Sequence, residues 1–103
     1  MNRVKLTKQA QNIMNQVFES DLAIVSHGPK SIYCLSLYVE LTGERVSFYD
    51  SSGDHEFEIA NEIFNCAYIK DGTIKIDDEN IPDNEYGDIT INLYKFTKIA
   101  ATN

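Results

Sequence analysis

The hydrophobic period of this chain changes once, at Ser20-Asp21, and that change decides what it can fold into. Before it, apolar side chains fall at Leu6, Ala10, Ile13, Met14, Val17 and Phe18, the spacing of one helical face. After it, apolar and polar residues alternate in run after run, the signature of strands that bury one side. A helix that must cover its stripe, followed by half-buried strands, predicts an α+β fold. The expected architecture is an antiparallel sheet of five or six strands with the N-terminal amphipathic helix packed on one face, and room for a second short helix.

Thr7 suits the N-cap of the helix, and Ser20-Asp21 ends it. Its opposite face, Lys8, Gln9, Gln11, Asn12, Asn15 and Gln16, is amide and cation. The first strand is expected over 22–26, closed by His27-Gly28-Pro29-Lys30, whose Gly-Pro pair signals a loop. A long strand is expected over 31–41, with Tyr33, Leu35, Leu37, Val39 and Leu41 on one face. The next, over 45–50, alternates Val46 and Phe48 against Ser47 and Tyr49. Matching apolar faces across Thr42-Gly43-Glu44 sets Val39 opposite Val46 and Leu37 opposite Phe48, with an even number of residues in the loop.

Residues 56–66 satisfy two periods at once. Phe57 and Ile59 alternate as in a strand, while Phe57, Ala60, Ile63, Phe64, Ala67 and Tyr68 fit a helix capped by Asp54 and ending near Asn65. The helix is the favoured reading. Lys70-Asp71-Gly72-Thr73 is a hairpin signal, because Asp-Gly supplies the positive φ of a type I′ turn. It pairs Ile69 with Ile74 and Ala67 with Ile76. An acidic loop over 77–88 leads into a last strand, where Ile89, Ile91 and Leu93 alternate before the phase shifts toward Tyr94 and Phe96, which suggests a bulge.

A chain of 103 residues with 43% apolar content makes one domain with one modest core. Its two cysteines, Cys34 and Cys66, are too few for a disulfide framework and are expected as reduced, packed thiols. No apolar stretch follows Arg3, Lys5 and Lys8 as a secretory signal requires, and no run reaches the ~20 residues that span a bilayer. The expected location is the cytoplasm of the encoding or a host cell. Seven lysines against two arginines, with abundant Ile, Asn and Tyr, are the bias of an A+T-rich coding sequence, frequent in phages and mobile elements.

Charge carries the functional expectation. Between Glu40 and Asp88 stand fourteen carboxylates against Arg45, Lys70 and Lys75, while the segments on either side are each net positive by two, giving the total of -7. Such a field attracts basic protein surfaces and repels nucleic acid, so no direct nucleic-acid partner and no membrane partner is expected. The loop oxygens are of the kind calcium prefers, but their spacing departs from the EF-hand pattern, so no metal site is assigned. Cys34, His27 and His55 lack the signature of a nucleophile site, and Asp54-His55-Glu56, being adjacent, point in different directions. Neither catalytic residues nor a cofactor are therefore expected. The reading is a small non-enzymatic inhibitor or binding protein, of the DNA-mimic, anti-restriction, anti-CRISPR or immunity kind. It would occlude a basic surface of a nuclease, a nucleic-acid-binding enzyme or a toxin. Its contacts would come from Asp77, Asp78, Glu79, Asp83, Glu85 and Asp88, from a second cluster of Asp54, Glu56 and Glu58, and from Tyr38, Tyr49 and Tyr68 as aromatic anchors. The alternative is an assembly subunit, of a phage virion or secretion apparatus, binding through an apolar sheet edge or the tyrosine face.

Overall fold

The computed structural model describes residues 4–28, 32–36, 38–81 and 87–95. Its elements are helix α1 (Lys8–Glu19), strands β1 (Leu22–His27), β2 (Ile32–Ser36), β3 (Tyr38–Leu41), β4 (Arg45–Tyr49) and β5 (His55–Ala60), short helix α2 (Asn61–Phe64), strands β6 (Tyr68–Lys70) and β7 (Thr73–Ile76), a 3-10 turn (Asp78–Asn80) and β8 (Ile89–Tyr94). The fold is α+β, and among the described residues every strand pairing is antiparallel.

Helix α1 begins as its sequence dictates, with the Thr7 hydroxyl oxygen accepting from the Ala10 N–H at 3.1 Å. Its stripe Ala10, Ile13, Met14 and Val17 is buried. Leu6 packs half-buried against the core. Phe18, expected on the same face, is 49% exposed. It sits at the edge of the stripe as the penultimate residue of the helix.

The strands form two sheets where one was expected: five strands in the order β2-β1-β8-β7-β6, and three in the order β3-β4-β5. The expected long strand over 31–41 is what divides them. Eleven extended residues would reach about 36 Å, whereas its neighbours β1 and β4 have six and five residues. The segment therefore pairs in two pieces, β2 with β1 and β3 with β4. Leu37, between them, lies outside the described residues.

In the larger sheet a row of β-branched residues crosses four strands, Val25 opposite Ile91, Ile91 opposite Ile74 and Ile74 opposite Ile69. The first three are at most 1% exposed, while Ile69 on edge strand β6 is 44% exposed. Burial of each such side chain contributes roughly 1.5–3 kcal/mol, so the row is a main support of the sheet. Ile76 opposite Ile89 forms a second buried pair. Val46, Phe48, Phe57 and Ile59 from the smaller sheet join the same core, with Phe64 of α2. The His27 ring, at the end of β1, stacks on Phe57 of β5 with centroids 5.2 Å apart.

The Asp71-Gly72 hairpin forms as expected, with φ of 53° and 78° at the two turn residues and Ile69 opposite Ile74. The β3–β4 hairpin keeps the expected parity but not the register: Val39 faces Phe48 and Leu41 faces Val46. Gly43 at φ 95° takes the first position of a tight two-residue loop, closed by Thr42 N–H donating to the Arg45 carbonyl at 3.1 Å. Glycine there permits a II′-like turn of the same two-residue length as the one inferred, displaced by one residue along the chain. The favoured helix over 56–66, capped by Asp54, does not form: His55–Ala60 pair with β4 as β5, and only Asn61–Phe64 is helical, as α2 with Ala60 at its N-cap. Cys66 is a free thiol, exposed rather than packed. The suggested bulge toward Phe96 lies outside the described residues.

Candidate acidic interface

The β6–β7 hairpin sets the geometry of the site. With Ile74 buried and Ile69 opposite it on the same face, the paired residues Tyr68 and Lys75 share the other face, and alternation places Asp77 on that face two residues on. The Tyr68 hydroxyl donates to Asp77 Oδ1 at 2.7 Å. After Asp77 the chain tightens into the 3-10 turn Asp78–Asn80, held by Asn80 N–H on the Asp77 carbonyl and Ile81 N–H on the Asp78 carbonyl, each at 3.0 Å. Ile81, 5% exposed, pins the end of this turn into the core. The carboxylate of Asp88, just ahead of β8, accepts the Asp78 N–H at 2.8 Å, and its carbonyl accepts the Gly28 N–H at 3.0 Å.

The structure thus brings together Tyr68, Asp77, Asp78, Glu79 and Asp88. Asp78, Glu79 and Asp88 are exposed, and Asp77 is half-buried. Among the described residues none of these four carboxylates stands in an ion pair. The field is felt at Tyr68, whose pKa is raised above 10.0. The hydrogen bond to Asp77 is the main cause, partial burial the next, followed by the negative charges of Asp77, Asp88 and Glu79. A shallow cleft of about 290 Å³ lies here, lined by Tyr68, Asp77, Asp88 and Thr90 together with Lys70 and Lys75. The two lysines were not singled out in the sequence, although the Asp71-Gly72 register already places Lys75 beside Tyr68. The cleft lining is mixed in charge, and the 3-10 turn that follows Asp77 adds the exposed Asp78 and Glu79, which with Asp77 and Asp88 make an acidic rim.

The second cluster does not join the first. Asp54 and Glu58 belong to the smaller sheet and its β4–β5 turn, and Glu58 is 3.2 Å from Arg45, which also reaches Glu44 at 4.0 Å. Paired in this way, Glu58 offers less free charge than its place in the sequence implied, although exposed pairs of this kind contribute only about 0–1 kcal/mol to stability. Asp54 serves the turn with its main chain, its N–H bonded to Asp50 Oδ1 at 2.9 Å. Glu56 lies in β5 with its side chain outside those described. Asp83 and Glu85 lie outside the described residues.

The three tyrosines are also divided. Tyr38 and Tyr49 are cross-strand partners in the smaller sheet, and the Tyr49 hydroxyl is 3.4 Å from Glu40 Oε1. The side chain of Tyr38 is outside those described. Tyr68 stands in the other sheet with the acidic loop. Among the described residues no group of three or more His, Cys, Asp or Glu side chains is arranged to hold a metal ion. Among the described residues no helix is long and apolar enough to cross a membrane. Compared with protein-family models, curated proteins and solved structures, the chain finds no match.

Proposed function

We propose that this protein is a non-enzymatic binding protein that occludes a basic surface of a partner protein, with the rim of Asp77, Asp78, Glu79 and Asp88 facing the partner's lysines and arginines. The observation that carries the reading is the convergence of Asp77, Glu79 and Asp88, from two chain segments, at one end of strands β6–β8, close enough for their charges to act on Tyr68, with the exposed Asp78 bonded by its N–H to Asp88. Complementary charge of this kind accelerates encounter and fixes orientation, while an aromatic anchor supplies contact area. The basic surface best suited to such a rim is one that otherwise holds phosphates, as in a nuclease, a nucleic-acid-binding enzyme or a toxin. A second reading, assembly through a sheet edge, draws support from Ile69 and Leu41, which are 44% and 43% exposed on edge strands β6 and β3.

Salt separates the two. A partner captured from cell lysate on the immobilised protein should associate more slowly as ionic strength rises, since exposed charges are screened beyond about 8–10 Å near physiological salt. Competition by duplex DNA for the partner should release it. An association rate indifferent to salt would refute the electrostatic reading and leave the sheet edges as the binding surface.

A further inference from the structure

Residues 4–7 run as an extended arm across the short helix α2, and two asparagines one turn apart hold its main chain. Asn65 grips it at both ends of a peptide pair: its Nδ2 donates to the Lys5 carbonyl at 2.9 Å and its Oδ1 accepts the Thr7 N–H at 2.8 Å. Asn61 Nδ2 donates to the Val4 carbonyl at 3.0 Å and, across to the β3–β4 turn, to the Gly43 carbonyl at 3.2 Å. The same residue's N–H bonds to the Glu44 carbonyl at 2.9 Å. Burial adds little to this grip, because Val4 is 44% exposed, Lys5 and Thr7 are exposed, and only Leu6 is half-buried. Beneath the arm, Asn61 is 5% exposed, and its Oδ1 is buried with no hydrogen-bond partner among the described residues.

From this balance we infer that residues 4–6, with the Thr7 N–H, are a releasable strap that opens while the Thr7 side chain keeps its cap on α1 and the rest of the fold stays closed. The closed strap is held by hydrogen bonds that water can replace, each of small net value. It also keeps the Asn61 acceptor away from water, a standing cost that opening relieves. The open and closed forms therefore lie close in free energy, unlike the core strands, which separate only when the whole sheet does. Asn61 bonds both the strap and the Gly43-Glu44 turn, so its side chain is the point where the two meet. This inference stands apart from the acidic rim and does not depend on it.

Native-state hydrogen exchange on the full chain tests it. The Thr7 amide should be protected at least about a hundredfold less than the amides of Val25 and Ile91 in the central strands, the spread expected between local and global opening. Asn65→Ala should abolish the protection of Thr7 and leave that of Val25 and Ile91 unchanged. Equal protection of Thr7 and the central strands in the unaltered protein would show that the strap opens only on global unfolding and would overturn the inference. So would an Asn65→Ala variant in which Thr7 stays protected.

Discussion

Tyr68 is the residue at which the charge of the site becomes measurable. Its hydroxyl proton is held by Asp77, and ionisation would set a phenolate among Asp77, Asp88 and Glu79, so the neutral form is favoured. Because the folded value lies above the unfolded 10.0, the stabilisation is complete below about pH 10 and is lost as pH rises through the folded value. A phenolate absorbance titration should show one of the six tyrosines ionising late. Tyr68→Phe should delete that step, and Asp77→Asn should move it back toward 10.0. Unchanged titration in Asp77→Asn would mean that the hydrogen bond is not what holds the proton. Part of this was legible in the chain, since the Asp-Gly turn fixes Tyr68 opposite Lys75 and alternation carries Asp77 to the same face. The approach of Asp88 was not, and neither were the contacts of Asn61 and Asn65 with residues 57 to 60 positions away. Long-range polar contacts leave no local period to read.

At the scale of elements, short-range chemistry was decisive where a turn demanded a particular residue. Gly72 has φ 78°, and a Cβ added there would meet nothing within 4 Å, so a substitution acts through backbone strain alone. Gly72→Val should lower stability by about 1–2 kcal/mol, the cost of the left-handed region for an L-residue, seen as a lower melting temperature. Melting equal to that of the unaltered protein would refute the role given to this turn. Helix α1 was equally legible, because its stripe and cap are local. The division into two sheets was not. Alternation over 31–41 says which side chains share a face, but not that β1 and β4 are too short to pair with all of it. Nor could periodicity choose between strand and helix over 56–66, where β5 and α2 follow one another. A four-residue helix is unstable alone, and α2 persists because Phe64 is wholly buried.

For the molecule as a whole, the separation of its carboxylates matters more than their number. Of the -7 net charge, the part we propose for partner binding is the rim beside Tyr68, whereas Glu58 is paired with Arg45. Asp77 and Asp88 also have structural work, accepting bonds from Tyr68 and from the Asp78 N–H, so replacing them confounds charge with fold. Asp78 and Glu79 are exposed and free of that complication. The double variant Asp78→Lys, Glu79→Lys reverses the rim with two surface changes, each expected to alter stability by no more than about 0.5 kcal/mol. The most direct measurement compares its affinity for the captured basic partner with that of the unaltered protein at low salt, circular dichroism having shown both to be folded. A loss of tenfold or more, shrinking as salt is raised, is the predicted result. Equal affinity at low salt would contradict the account, because the rim would then be a solvated surface with no part in binding.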